Sequence, residues 1–127
     1  MTYYIAKTVS GDFNAVIMRV TEALKAEGFG VLTDIDVSAT MKKKLDVDFR
    51  PYRILGACNP KMAHQALTLE DKIGVMLPCN VIVQQTDEGV EVAAVDPQAS
   101  LGRVGNPALD EAATTVKAAL TRVVNAL

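Results

Sequence analysis

The chain of 127 residues has the length of a single domain, residues 1–127, and its 50% of apolar and 22% of charged residues are typical of a globular protein. Its 13 basic and 15 acidic residues give a net charge of -2, which argues against nucleic-acid binding because that class usually carries a basic field. Since neither a membrane span nor a signal peptide is visible, we expect a cytoplasmic protein with no membrane partner, whose two cysteines are thiols.

The first two predicted elements are a strand and a helix. The aromatic and β-branched run from Tyr3 to Val9 is typical of a strand. Asp12 is placed to cap the following helix, and Gly28 is placed to end it in a left-handed conformation. The helix has one apolar stripe, formed by Phe13, Val16, Ile17, Val20 and Leu24.

A second strand is predicted from Phe29 to Val37. Its alternation predicts that Val31 and Ile35 are buried, and that Asp34 and Asp36 share the opposite face. Two carboxylates on one face can act as acid and base or bind a cation, and the alternative is a solvated strand face.

Capping residues and prolines mark the next elements. Ser38 is expected to cap a short helix, and Pro51, which has no N–H to donate, precedes a third strand over residues 52–57. Asn59, followed by proline at the first helical position, predicts a helix over residues 60–69.

The C-terminal third begins with a predicted β-hairpin of Cys79–Gln85 and Val90–Val95, in which Gly89 supplies the positive φ of a bulged turn. A loop is expected from Asp96 to Gly105. Asn106 and the proline after it then start a final helix. Its apolar stripe consists of Leu109, Ala113, Val116, Leu120, Val123 and Leu127.

This order of elements predicts an α+β fold with a mainly antiparallel sheet and two long helices on one face. Several strands nevertheless carry neighbouring apolar residues, as at Ile54–Leu55, Val81–Ile82 and Ala93–Ala94. A sheet covered on one face only should alternate more cleanly. We therefore expect a second subunit to cover the other face, which predicts a homodimer.

Three stretches together carry a family resemblance: GFGVLTDIDV at residues 28–37, YRILGACNP at 52–60 and LPCNV at 77–81. On these motifs the chain resembles the bacterial and archaeal domain-of-unknown-function family 302 over nearly its whole length. The resemblance implies a curved antiparallel sheet with two helices, similar to the TATA-box-binding-protein fold class, and a homodimer. It implies no activity, cofactor or catalytic residue, and likeness of fold is not an argument for DNA binding.

The two cysteines are the main candidate functional residues, and each is followed by an asparagine, Asn59 or Asn80. Cys58 directly precedes a predicted helix N-terminus, whose dipole and free N–H groups stabilise a thiolate. If the strands pair, Cys79 lies close to it and is the poorer nucleophile. Such a pair can be a redox couple, a persulfide carrier or a soft-metal site, and the alternative is that both are small buried apolar residues.

His64 and a basic segment are weaker candidates. His64, the only histidine, could complete a three-ligand zinc site with the two cysteines, or it is simply exposed on its helix. Arg50 and Arg53 could hold a phosphate or carboxylate together with the lysines at 42–44, or they form a solvated surface.

Three functions follow from these candidates. The favoured one is a non-enzymatic module that binds a small ligand or partner near the Cys58, Cys79 and His64 loops. The second is a thiol-dependent redox or sulfur-handling protein that uses Cys58 with Cys79. The third is a structural or regulatory module without a small-molecule site. Thiol reactivity separates the second from the others, and a bound ligand or metal separates the first from the third.

Overall fold

The computed structural model of the chain describes residues 2–127. The strands are Tyr4–Val9 (β1), Gly30–Asp36 (β2), Tyr52–Cys58 (β3), Cys79–Thr86 (β4) and Gly89–Val95 (β5). The α-helices are Phe13–Ala26 (α1), Val37–Leu45 (α2), Pro60–Leu69 (α3), Pro97–Leu101 (α4) and Asp110–Asn125 (α5), and short 3-10 helices cover Asp71–Met76, Gly102–Val104 and Pro107–Leu109. Within residues 2–127, no helix has the length and apolar character needed to cross a membrane.

The five strands form one sheet in the order β1-β5-β4-β3-β2, and every neighbouring pair is antiparallel. The β4–β5 hairpin is formed as predicted, and Gly89 adopts a φ of +138° at its turn. Both the α+β class and the mainly antiparallel sheet are therefore confirmed.

The main core lies between one face of this sheet and the two long helices. Asp12 caps α1 by accepting a hydrogen bond of 3.0 Å from the N–H of Ala15. The predicted apolar stripes of both helices point inward and meet alternate residues of the central strands. The buried residues of this core include Val16, Val20, Leu24, Leu55, Val81, Val83, Val92, Val116, Leu120 and Val123.

A second, smaller core lies beside the first and holds α3, α4 and the start of α5 together. It consists of Ala66, Ile73, Leu101, Leu109 and Ala113. The segment 96–105, expected to be a loop, instead contains α4, so that expectation was wrong. Asp96 caps this helix by accepting a hydrogen bond of 2.9 Å from the N–H of Gln98, and burial of Leu101 anchors it.

The face assignment in β2 was also wrong, because of a β-bulge between Val31 and Thr33. The extra residue reverses the faces of the residues that follow it. Asp34 pairs with Leu55 and so lies on the helix side of the sheet, whereas Ile35 lies on the other side and is 49% exposed.

The cap of α2 differs from the prediction as well. The carboxylate of Asp36 caps the helix by accepting a hydrogen bond of 2.9 Å from the N–H of Ala39. Ser38 lies inside the first turn, and its hydroxyl donates to the carbonyl oxygen of Phe49 at 3.0 Å. Asp36 therefore has a structural role at the point where β2 becomes α2.

The face of the sheet away from α1 and α5 forms a shallow concave surface, which we call the open face. Its side chains follow from the register: Tyr4, Ala6, Thr8, Thr33, Ile35, Tyr52, Ile54, Asn80, Ile82, Gln84, Glu91, Ala93 and Val95. A concavity of about 430 Å³ extends from Tyr4 at one edge to Tyr52 on β3. Ile82 and Ala93, which line it, are only half-buried, and so is Ile54, which pairs with Ile82 on the same face.

Leu120 tests the packing of the main core, because it lies mid-stripe on α5 and is fully buried. We expect Leu120→Ala to lower the free energy of unfolding by about 2–5 kcal/mol, measured by urea denaturation. Thr115→Ala, at an exposed position of the same helix, is the control and should change it by less than about 0.5 kcal/mol. Equal effects of the two substitutions would contradict this core.

Candidate functional site

The site is built where β3 ends and β4 begins. Ala57 pairs with Cys79 across these antiparallel strands, so Cys58 and the start of α3 lie at the same end of the sheet as Cys79. The pairing of β3 with β4 therefore brings the two cysteines to one end of the sheet, although α3 and a 3-10 helix separate them in sequence.

Gly56 allows the segment before β4 to come close to β3. A Cβ atom at this position would collide with Oγ1 of Thr33 and lie 2.7 Å from Cγ of Pro78. Only glycine leaves room for both neighbours. The absence of a side chain at Gly56 therefore helps to set the position of Pro78, the residue directly before Cys79.

Asn59 starts α3 beside the first cysteine. Its Oδ1 accepts a hydrogen bond of 3.3 Å from the N–H of Met62, and Pro60 occupies the first helical position, as the sequence predicts. A Cβ atom at Gly28, which adopts a φ of +85°, would lie 3.2 Å from the amide nitrogen of the Asn59 side chain. Asn59 therefore fixes the direction in which α3 leaves the sheet.

A cavity of about 190 Å³ lies between this sheet end and the helices α3 and α5, where the two cores meet. We call it the thiol cavity, because both cysteines line it. Its wall is otherwise almost entirely apolar, with the amide of Asn59 as the exception. The lining residues are Phe29, Leu32, Ala57, Cys58, Asn59, Met62, Ala63, Ala66, Leu67, Leu77, Pro78, Cys79, Leu101, Ala112 and Val116.

The two cysteines in this cavity are free thiols. Burial, and to a smaller extent the neighbouring Cys58, together raise the pKa of the Cys79 thiol to about 11. Cys79 is thus protonated at neutral pH. The structure brings together the pair that the sequence places on separate elements.

His64 and Asn80 lie outside the thiol cavity. His64 is exposed on α3 and lines a separate groove of about 640 Å³ against α5, with Lys61 and Glu111. Asn80 is exposed on the open face. In the part of the chain that the structure describes, no three His, Cys, Asp or Glu side chains come together as metal ligands, so the arrangement expected for zinc is not formed.

Arg53 is paired with the carboxylate of Asp34. Its Nε donates to Oδ1 at 2.7 Å, and its Nη2 donates to Oδ2. These hydrogen bonds hold the pKa of Asp34 below its usual range. Asp34 is therefore an ion-pair partner with its charge satisfied, which does not favour the predicted acid–base role.

Arg50 also has partners within the chain. Its Nε donates to Oε1 of Gln84 at 2.8 Å, and its guanidinium carbon lies 4.5 Å from the ring centroid of Phe49 and 5.6 Å from that of Tyr52. Neither Arg50 nor Arg53 contributes to the thiol cavity. Both candidate anion contacts lie near the start of β3, where Arg53 binds Asp34 on the helix side of the sheet and Arg50 binds Gln84 of the open face.

Sequence reasoning missed Met62 as a functional candidate. Helical spacing marks Met62, Ala63 and Ala66 as residues available for burial, but it gives no sign that they line a cavity. The sequence feature that could have pointed to Met62 is its position three residues after the cap residue Asn59, which itself follows Cys58.

The raised pKa of Cys79 leads to a testable difference in reactivity between the two thiols. With a pKa of about 11, Cys79 is a thiolate in about one molecule in a thousand at pH 8, so we expect Cys58 to be alkylated faster. The measurement is site-resolved mass spectrometry after iodoacetamide treatment, with protein unfolded in urea as the control for equal labelling. Faster labelling of Cys79 in the folded protein would contradict this order.

The comparisons with known proteins agree on one family. The profile of the family described as domain of unknown function DUF302 matches residues 5–127. A crystal structure of an uncharacterized conserved DUF302 protein from Bacillus stearothermophilus superposes with a TM-score of 0.92, with 32% sequence identity over 98% of both chains. None of the curated proteins matches the chain. The sequence motifs, the antiparallel sheet and these matches lead to one conclusion: the chain belongs to the DUF302 family.

Proposed function

We propose that this protein is a non-enzymatic module that binds a small ligand in the thiol cavity. The observation that carries this proposal is the cavity itself, which lies at the junction of two cores and is closed on several sides by α3, α5 and the sheet end. Concave sites with mostly apolar walls and a few polar groups are the usual form of small-molecule sites.

The size and lining of the cavity limit the ligand. An engineered apolar cavity of about 150 Å³ binds benzene or xenon, so a volume of about 190 Å³ accepts one small apolar group. None of the residues that line it in the described part of the chain has a charged side chain. The cavity therefore suits an uncharged ligand, because it offers no charged side chain to pair with a buried charge.

The same lining argues for binding rather than catalysis. General acid–base chemistry requires a group such as His, Asp or Glu within hydrogen-bond reach of the substrate. The titratable side chains that line the thiol cavity among residues 2–127 are the two cysteines. Cys79 is protonated at neutral pH, as its raised pKa requires.

A second candidate is a thiol-dependent redox or sulfur-handling protein. The observation that favours it is the presence of Cys58 and Cys79 in the lining of one cavity, where Cys58 contributes to the raised pKa of Cys79. This function requires Cys58 to react with an electrophile in the folded state. If both thiols react only after unfolding, the redox candidate fails and the binding module remains.

We also propose that the protein is a homodimer formed by two open faces. Ile54, Ile82 and Ala93 form a half-buried apolar centre, and Thr8, Thr33 and Asn80 surround it with polar groups. An apolar core with a polar rim is the usual anatomy of a protein interface.

The dimensions of the open face support a second copy of the chain as its partner. Five strands about 4.8 Å apart and about six residues long give a face of roughly 24 by 20 Å. That projected area is roughly 480 Å², before side-chain relief is added. Since each partner of a standard interface contributes about 800 Å² of accessible surface, a partner must cover the whole face, as a second open face of the same size can.

Toluene, a small uncharged apolar molecule, is a suitable probe of the thiol cavity. We expect it to shift the ¹³C resonance of the Met62 ε-methyl group, which lines the cavity, but not that of Met18, which is 70% exposed on α1. Ala66→Leu fills part of the cavity and should weaken toluene binding at least tenfold, a loss of about 1.4 kcal/mol or more.

The matched control for Ala66→Leu is Ala118→Leu, the same substitution at an exposed position of α5. It should leave toluene binding unchanged. If the Met62 resonance does not respond to toluene in the unaltered protein, the thiol cavity is not a ligand site and the proposed function is wrong.

The dimer is tested by sedimentation at micromolar concentration, where we expect about twice the chain mass of 13.6 kDa. Ile82→Lys places a charge in the centre of the open face and should raise the dimer Kd by about 30-fold, or about 2 kcal/mol. Met18→Lys, on the solvent side of α1, should leave the dimer intact. A monomer in the unaltered protein, or equal effects of both substitutions, would overturn the proposed interface.

A further inference from the structure

Arg50 is held by contacts that leave its positive charge unpaired. Its Nε donates to the neutral amide oxygen of Gln84 at 2.8 Å. Among residues 2–127, neither of its two Nη nitrogens donates a hydrogen bond within the protein, and no carboxylate oxygen lies within ion-pair distance of them. Other cations of the chain do have a carboxylate partner, namely Lys42, Arg53, Lys72, Lys117 and Arg122. Arg50 therefore keeps two donor nitrogens for a group from outside the chain.

The guanidinium group of Arg50 is nevertheless fixed in direction. Its carbon atom lies 4.5 Å from the ring centroid of Phe49 and 5.6 Å from that of Tyr52. The amide of Gln84 is itself oriented, because its Nε2 donates to Oε1 of Glu91 at 2.8 Å and its Oε1 is thereby left for Arg50. Tyr52 and Glu91 pair with Gln84 from opposite sides, so the amide separates the guanidinium from the carboxylate.

The backbone on both sides of Arg50 is held as well. The carbonyl oxygen of Phe49 accepts a hydrogen bond of 3.0 Å from the hydroxyl of Ser38. The carbonyl oxygen of Pro51 accepts one of 3.0 Å from the N–H of Gln85, and the proline ring locks its own φ. A charged group that is positioned before its ligand arrives loses less conformational entropy on binding.

We infer that Arg50 binds a small ligand through an oxyanion of the carboxylate or phosphate kind. The planar guanidinium offers parallel N–H groups that match two oxygens of such an anion. Arg53 is excluded from this role, because its Nε and Nη2 already bind both carboxylate oxygens of Asp34. Arg50 does not line the thiol cavity, so this site goes beyond the proposed function and neither depends on the other.

The test is a titration of the full ¹⁵N-labelled chain at constant ionic strength, with methyl phosphate and acetate as separate probes and chloride as the background anion. We expect a saturable shift of the Nε–Hε resonance of Arg50. The resonance of Arg103, an exposed arginine on a 3-10 helix, is the control and should not shift. Equal shifts at both arginines, or no shift at Arg50 with either probe, would overturn the inference.

The two probes also separate the possible sources of the anion. A response to methyl phosphate alone supports a phosphate-bearing ligand, and a response to acetate alone supports a carboxylate-bearing one. A response to both supports a site for either anion. Each of these outcomes is independent of whether the thiol cavity responds to toluene.

Arg50→Lys separates a positioned guanidinium from a simple surface charge, because lysine keeps the charge but lacks the planar pair of donors. It should weaken binding of the responding probe by about fivefold or more, measured on the side-chain amide resonances of Gln84. Phe49→Leu keeps the charge and removes one ring from the guanidinium, and should weaken binding by about two- to fivefold.

The matched control is Arg103→Lys, the same substitution at an exposed position, which should leave binding unchanged. Arg50 is also exposed, so its replacement by lysine leaves both cores intact. Equal affinity of Arg50→Lys and the unaltered protein would mean that charge alone attracts the anion, and the inference would be wrong.

Discussion

The pairing of Ala57 with Cys79 is the constraint on which the candidate site depends. It brings the end of β3 and the start of β4 to one point, and with them Cys58, Cys79 and the cap of α3. A slip of one residue in this register would turn Cys79 to the opposite face of the sheet. Gly56 helps to hold the register, because Thr33 and Pro78 occupy the space that a side chain at this position would need.

The thiol cavity exists because two cores meet there without interpenetrating. The main core ends near Ala57 and Val116, and the smaller core begins at Ala66 and Leu101. Between them, small side chains on α3 and α5 leave a gap that a leucine at Ala66 would partly fill. Protein interiors are normally close-packed, since each void forfeits contacts around its wall. A gap lined by the two cysteines of the chain is thus a specific feature of this fold.

Local patterns in the sequence predict the helices, the strands and the hairpin, whereas several tertiary details depend on interactions that no local pattern shows. The reversal of faces in β2 comes from one bulged residue, and the ion pair between Asp34 and Arg53 follows from that reversal. The proximity of the cysteines could be predicted from strand pairing. The position of His64 could not be predicted from its distance in sequence to Cys58. His64 lies two residues after Met62, which lines the cavity, and two residues rotate about 200° around the helix axis, so the side chain of His64 lies away from the cavity.

The open face and the thiol cavity are connected through Pro78. Its ring packs over Gly56, whose Cα lies on the open side of β3, and the same residue forms part of the cavity wall. A subunit that covers the whole open face would therefore also contact this wall. Since Pro78 directly precedes Cys79, such a contact would restrict a cysteine that lines the thiol cavity. The proposed dimer and the proposed ligand site are therefore physically linked through Pro78. If a ligand orders the Pro78–Cys79 segment, it stabilises the dimer, and dimer formation strengthens ligand binding by the same free energy.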